Sequence, residues 1–206
     1  MKLAIIGASA GIGLATVKRS LELGHRVNAL SRRKIEVAEN PDLVTIEGSA
    51  LNESDLRQVI DGVEVILVTL GTGMNTKATT LYSNFAQLLM SISPNVPVII
   101  VTGFGAGNSR YYLKPMMKPV FRFILNKIYA DKTVMENMIS KSGIQWEFVR
   151  PGVLTNKPLT EVYRVETDLY PRMNIGSISR SDVADYLVKE AVNLKNLGKF
   201  VALCHK

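Results

Sequence analysis

The chain has 206 residues, 47% of them hydrophobic and 21% charged, and a formal net charge of +7. That is enough chain for one sizeable core in an ordinary globular balance, and it holds no apolar run near the ~18 residues a membrane span needs. One cysteine, Cys204, excludes an internal disulfide, and two separated histidines, His25 and His205, offer no transition-metal cluster.

Residues 3–6 are an apolar run within a first strand over 2–6, Gly7-Ala8-Ser9-Ala10-Gly11-Ile12-Gly13 follows, and the helical periodicity of residues 14–23 predicts a helix over 11–23. A strand, a sharp glycine turn and a helix N-terminus present backbone N–H groups and a helix dipole to a pyrophosphate. Gly7 lets the chain leave the strand tightly. Gly11 removes a Cβ from in front of the phosphates, and Gly13 lets the helix lie close on the sheet. Ser9, with Ala10 and Ile12 in the same loop, offers a hydroxyl to a phosphate oxygen. The spacing is G-x-x-x-G-x-G, not the G-x-G-x-x-G of the dinucleotide fingerprint, so the motif draws its weight from following a buried strand directly. With that strand starting at residue 2, no leader is expected and a cytoplasmic protein is.

Gly24 closes the first helix, and residues 25–30 read as a second strand with His25 as a turn residue. At its end stands Ser31-Arg32-Arg33-Lys34, where an NAD site would place a carboxylate for the ribose hydroxyls. A hydroxyl and two guanidiniums suit a 2′-phosphate instead, so the expected cofactor is NADP(H), with a merely solvated basic turn as the alternative. Asn40-Pro41-Asp42 is a turn, residues 43–47 a third strand, and Asn52 or Ser54 caps a short helix to Ile60 that Asp61-Gly62 breaks. Ser49, Ala50 and Leu51, after the third strand, are placed beside the adenine. Residues 63–70 form a strongly apolar fourth strand, and Thr69, Leu70 and Gly71 at its end are placed near the nicotinamide ribose and phosphates. A helix over 76–92 and a fifth strand over 98–101 follow. Such uniformly apolar strands fit a parallel sheet covered on both faces.

Residues 102–116 read as irregular. Thr102, at a strand end, has the chemistry to hydrogen-bond a substrate carbonyl or the cofactor and is a candidate catalytic residue. A long helix is expected over 117–141, bending near Pro119 and again near residues 129–131. It carries Tyr129-Ala130-Asp131-Lys132. Short-chain dehydrogenases pair Tyr and Lys four apart as a proton donor; the spacing here is three, which still shares a helix face. Tyr129 and Lys132 are therefore candidates, with the relay left open and Lys132 also free to bind a ribose. Phe104, Tyr111, Tyr112, Met116, Met117 and Phe121, with Leu154 and Tyr163, could wall a flat apolar pocket for a planar ring; Phe104, Tyr111, Met116 and Leu154 are the substrate candidates, whereas Met117 and Phe121 read more readily as core. Residues 144–150 form a sixth strand closed by Pro151-Gly152. Residues 153–180 are less regular apart from a short strand at 163–165. Ser179 or Ser181 caps a helix over 182–194, and residues 199–204 make the last strand. Alternating strands and helices predict one α/β domain over residues 1–206, a doubly wound Rossmann-type sheet with helices on both faces. A small substrate side is expected around 103–118 and 153–180.

The residues that carry a family resemblance span nearly the whole chain. They are Gly7 to Gly13, Ser31-Arg32, Val101-Thr102-Gly103-Phe104-Gly105-Ala106-Gly107-Asn108-Ser109-Arg110, Asp131-Lys132 with Glu136, Ser142-Gly143-Ile144-Gln145-Trp146-Glu147-Phe148-Val149-Arg150-Pro151-Gly152, and Ile178-Ser179-Arg180-Ser181-Asp182-Val183-Ala184. The chain resembles the atypical short-chain dehydrogenase/reductases with an NAD(P)H-binding domain, among them flavin reductase/biliverdin reductase B-like and NmrA-like proteins. The resemblance implies that Pro151, Gly152 and Val153 pass close to the nicotinamide. It also implies hydride transfer straight to a stacked ring, which depends on positioning more than on a protein acid. Where flavin reductase members carry a serine, one place after Thr102, this chain has Gly103. The expected activity is an NADP(H)-dependent oxidoreductase acting on a small planar acceptor such as a flavin, quinone or conjugated carbonyl. The alternative is a non-catalytic NADP-binding sensor of NmrA-like type. The expected partner is that small molecule, with no membrane involved and the chain a monomer or homodimer. A nucleic-acid partner would fit the net charge, but no recognition motif supports it.

Overall fold

The computed structural model describes residues 1–73, 77–170 and 173–205. Its main sheet has eight strands in the order β3 (Leu43–Glu47), β2 (Arg26–Ser31), β1 (Lys2–Ile6), β4 (Val65–Val68), β5 (Val98–Val101), β6 (Trp146–Pro151), β10 (Phe200–His205) and β8 (Tyr163–Glu166). All neighbours pair parallel except β8, which runs antiparallel to β10 at one edge. The expected doubly wound α/β architecture is therefore present. The chain winds outward from β1 to β3, then returns to β4 on the other side of β1. That reversal opens a crevice over the carboxyl ends of β1 and β4. A second, two-stranded parallel sheet joins β7 (Val153–Thr155) to β9 (Ser177–Ser179), so residues 153–180 hold more regular structure than their sequence suggests.

Alternation along the strands divides the core. Ala4, Ile6, Ile66, Val68 and Phe148 point to the face covered by α2 (Glu53–Ile60), α3 (Leu81–Ile92) and α5 (Asn126–Ile139). Leu3, Ile5, Leu67, Val149 and Val201 point to the face covered by α1 (Gly11–Glu22) and α6 (Arg180–Asn193). Both faces are buried, which is why these strands read as continuous apolar runs.

Helix starts follow from their caps. Asn52 Oδ1 accepts from the N–H of Asp55, and Ser179 Oγ accepts from that of Asp182, which decides both alternatives left open above. The helix expected over 76–92 begins at Leu81, and Thr76 lies outside the described residues. No side-chain cap comes from Thr80; instead Asp131 on α5 accepts from the N–H groups of Tyr82 and Ser83. A carboxylate from the neighbouring helix thus satisfies orphan donors and complements the dipole.

The helix expected over 117–141 is composite. A 3₁₀ turn (Pro115–Met117), a short α4 (Lys118–Val120) and a π turn (Phe121–Leu125) precede α5. Pro119 sits in the first turn of α4, where its missing N–H costs nothing. The bend expected near residues 129–131 is absent, since α5 runs unbroken from 126 to 139; the irregularity lies earlier, at the π turn. Among the described residues no helix is long and apolar enough to cross a membrane.

Candidate functional site

A cleft of about 680 Å³ runs over the carboxyl ends of the parallel strands. Its floor at one end is the glycine turn. Gly7 has φ +92° and Gly11 φ +57°, conformations that side chains resist. A Cβ on Gly13 would lie 2.1 Å from the Gly7 carbonyl oxygen and 2.6 Å from Thr69 Oγ1, so α1 can dock on β1 and β4 only with glycine there. Thr69 Oγ1 in turn donates to the carbonyls of Ile6 and Gly7. Ala10, the residue before α1, makes no side-chain cap. Gly11 and Ile12, in the first turn, line the cleft, and among the described residues no side chain caps this helix start, as suits an anion site.

Every residue expected to hold the cofactor lines this cleft: Gly7, Ser9, Ala10, Gly11, Ile12, Ser31, Arg32, Arg33, Ser49, Ala50, Leu51, Thr69, Leu70, Gly71, Thr102, Pro151, Gly152 and Val153. Their individual settings differ. Arg32 and Arg33 are exposed, and neither has an acidic partner among the described residues. Ser31 is buried and its hydroxyl donates to the carbonyl of Arg33, so it shapes the basic turn from within. Asp55 Oδ2 accepts from the Ser49 N–H at 2.8 Å and fixes the loop after β3. Gly152 is held against β9, where a Cβ would meet the Gly176 carbonyl oxygen at 2.3 Å.

The three candidate catalytic residues also meet in this cleft, in roles the sequence did not foretell. Thr102 is buried, and its hydroxyl donates to Glu136 Oε1 at 2.8 Å. Glu136 is held by Arg150 through Nε–Oε1 at 3.0 Å and Nη2–Oε2 at 2.7 Å, with the two side chains 1% and 2% exposed. Arg150 also donates to Asn108 Oδ1 at 2.7 Å and stacks on Phe200, 4.1 Å from the ring centroid. Thr102 was expected to hydrogen-bond a substrate carbonyl or the cofactor; in this structure its hydroxyl donates to the carboxylate of a buried ion pair.

Lys132 Nζ donates to the Thr102 carbonyl and lies 5.2 Å and 5.0 Å from the ring centroids of Tyr82 and Tyr129. Burial lowers its pKa to about 8, partly opposed by the Glu136 carboxylate. Burial drives the Tyr129 phenol the other way, up to about 12, with Tyr82 and Glu136 adding to the effect. The ammonium meets the face of the Tyr129 ring. The pairing with a lysine that would lower the phenol's pKa is therefore not what this spacing produces.

Two glycines admit rings. Gly103, at φ +143°, would place a Cβ 2.7 Å from the Tyr129 hydroxyl. Gly105, at φ +118°, would place one 2.1 Å from Phe121 Cε1, and Phe121 meets Tyr129 edge-on at 4.7 Å. Phe121 and Met117 line the cleft, contrary to their reading as core. Of the residues expected to wall the substrate pocket, Phe104 and Leu154 line it. Tyr111 and Met116 do not; both are largely exposed, at 70% and 77%. The 3₁₀ turns around them have about three residues per turn, so adjacent side chains diverge and Tyr112 and Met117 face inward instead.

Arg180 was missed as a site residue. It opens α6, yet its side chain reaches the glycine loop, 3.7 Å from where a Gly11 Cβ would stand, and Nη1 donates to Asn156 Oδ1 at 2.7 Å. No local signal in the sequence announces a contact across that distance.

A profile of NAD(P)H-binding proteins matches residues 7–193. A Bacillus subtilis protein named as an uncharacterized sugar epimerase, YhfK, is 26% identical over 199 residues, covering 91% of this chain and 86% of its own length. A candidate NADH-flavin reductase of Streptococcus pneumoniae superposes with a TM-score of 0.81 at 20% identity, each chain covered in full (100%). A short-chain dehydrogenase/reductase of Veillonella parvula, solved in complex with NADP, superposes with a TM-score of 0.79 at 17% identity, covering 99% of this chain and 94% of the other. At such identities the two structures establish the fold, while the profile spans most of the sequence. The chain belongs to the NAD(P)H-binding family.

Proposed function

We propose that the protein is an NADP(H)-dependent oxidoreductase that passes hydride to a small planar acceptor such as a flavin or quinone. The observation that carries this reading is the continuity of one cleft, from the basic turn at Arg32 and the glycine loop to the rings of Phe104, Phe121 and Tyr129. The fit to a dinucleotide rests on the N–H groups of α1 that no side chain caps and on Gly7 and Gly11, whose backbone leaves the phosphate side clear. Arg32 and Arg33 would take a 2′-phosphate, for which an acidic residue in their place would be repulsive. Arg180, beside Gly11, would add a cation to the pyrophosphate side. Pro151, Gly152 and Val153 would flank the nicotinamide.

Bound NADPH supplies the hydride. The chain's own residues orient an acceptor and manage one proton. Phe104, Met117, Phe121 and Leu154 present apolar surface to a flat ring. Lys132 is the group in the cleft whose ammonium gives up its proton nearest neutrality, while Tyr129 stays a phenol. Thr102 positions Lys132 through its carbonyl and does not touch the acceptor as a donor. An acceptor that takes hydride into a conjugated ring needs little more than this alignment. The flavin reductase naming of the S. pneumoniae structure is of the same reaction type.

The test is to mix the protein with NADPH and a panel of flavins and quinones and to follow loss of the reduced nicotinamide absorbance. Oxidation with at least one planar acceptor is expected. Tight NADPH binding with no oxidation by any of them would overturn the reading in favour of a sensor.

A further inference from the structure

Charge is not spread evenly along the chain. Residues 65–130 contain six Lys/Arg and no Asp or Glu, so this stretch supplies six of the seven net positive charges. Four of the six, Arg110, Lys114, Lys118 and Arg122, recur at every fourth residue, and Lys127 follows. All five are exposed and none pairs with a carboxylate among the described residues.

Exposed apolar side chains lie between these cations. Phe123 is 78% exposed, and Met116, Tyr111 and Ile124 are also open to solvent. Arg110 lies over the Tyr111 ring at 4.8 Å and Arg122 over Phe123 at 5.6 Å, so a cation adjoins an exposed ring towards each end of the stretch. The same stretch turns Leu113, Met117, Phe121 and Leu125 inward to the cleft. It is thus apolar on two sides, and a helical segment of that kind is normally covered on both. The inner side lines the cleft; among the described residues the outer side is left open to solvent.

We infer that the outer face of residues 110–127 docks on an anionic lipid bilayer. Large apolar side chains interleaved with Lys and Arg, and with no acid among them, are what an interfacial helix presents to acidic headgroups and the first acyl carbons. A second copy of the chain fits poorly, because a two-fold contact through this face would set its cations against their own equivalents. The lack of a spanning helix bears on crossing a membrane and leaves a surface contact unaffected. The inference stands apart from the redox reading. Joined to it, it makes the acceptor a lipid-soluble planar molecule that reaches the cleft through the wall formed by Met117 and Phe121.

Co-sedimentation with vesicles tests it without turnover. The full chain is expected to bind vesicles of phosphatidylcholine with phosphatidylglycerol, to bind phosphatidylcholine alone far more weakly, and to be released by salt. Lys118→Ala with Arg122→Ala lowers the partition coefficient about thirtyfold, at roughly fivefold per cation. Phe123→Ser with Ile124→Ser lowers it about tenfold or more. These four side chains are exposed and outside the cleft, so unchanged circular dichroism and NADPH binding check that both variants are folded. Failure to bind the anionic vesicles overturns the inference, as does binding that neither variant weakens. Capture by soluble polyglutamate or an oligonucleotide in preference to the vesicles also overturns it, by making the face a site for an acidic macromolecule.

Discussion

Arg150 and Glu136 meet as a buried two-point ion pair, and the Thr102 hydroxyl donates to the same Glu136 oxygen that Arg150 Nε reaches. This pair ties β6 to α5 directly beneath the cleft. Removing one partner leaves an uncompensated charge in the core. Arg150→Met is expected to cost about 3–5 kcal/mol in urea unfolding. Adding Glu136→Leu is expected to recover most of that loss. A double variant no more stable than the single one would show that the pair is not what holds this region.

Gly13 and Gly24 separate two reasons for glycine. A Cβ at Gly13 collides with the Gly7 carbonyl, whereas one at Gly24 meets nothing within 4 Å but must adopt φ +75°. Gly13→Ala is expected to lose NADPH binding and about 1–3 kcal/mol or more through displaced packing. Gly24→Ala is expected to cost only about 1–2 kcal/mol of backbone strain and leave binding intact. Calorimetric melting and a cofactor titration on both variants make the comparison.

Arg32→Ala is expected to weaken NADPH about 10–100-fold, the worth of a charged hydrogen bond, and to leave NADH within about twofold. Equal losses for both cofactors would mean that Arg32 does not read a 2′-phosphate.

The lowered pKa of Lys132 sets a pH profile. Below about 8 its ammonium can give a proton; above it, less of the protein can. NADPH oxidation is expected to fall as pH rises through about 8, and Lys132→Met is expected to lose that step. Tyr129, a phenol until about 12, contributes no titration there, so Tyr129→Phe keeps the profile. A profile that Tyr129→Phe abolishes would reinstate the tyrosine as the donor.

Glu147 gives a stability profile of its own. It is buried on β6, where Tyr186 donates to Oε1 at 2.7 Å and Oε2 has no hydrogen-bond partner among the described residues. Burial, with Glu190 nearby, raises its pKa to about 8 from 4.5. The native state then holds a proton that the unfolded chain has lost between these values, so stability is full below about 4.5 and falls as pH rises through about 8. The slope is up to about 1.4 kcal/mol per pH unit. Glu147→Gln is expected to flatten it, read by urea unfolding at several pH values.

Local patterns carried the order of strands and helices. The glycine loop, the basic turn and the apolar strands are all short-range signals, and the crevice follows from topology once they are known. What escaped was contact between distant residues. Asp131 reads as a helix residue, yet it caps another helix. Glu136 and Arg150 lie 14 positions apart on different elements, and only their meeting removes Thr102 from service as a donor. Tyr111 and Met116 were expected inside because aromatic and thioether groups suit a pocket. The residue that faces inward there is set by 3₁₀ turns, whose three-residue period the composition does not reveal.

Arg19, on the helix that starts at the glycine loop, is clamped by Nε and Nη2 to Asp185 on α6, at 3.0 and 2.8 Å. Helix α1, made before α6, therefore waits for it to complete this contact. While the chain is being synthesised, the loop emerges early with its sequence complete, but its latch and its companion Arg180 arrive more than 160 residues later. A nascent or truncated chain that ends before α6 would carry the loop without its support. Firm seating of the glycine loop is thus a late property of the chain, expected only once α6 closes against α1.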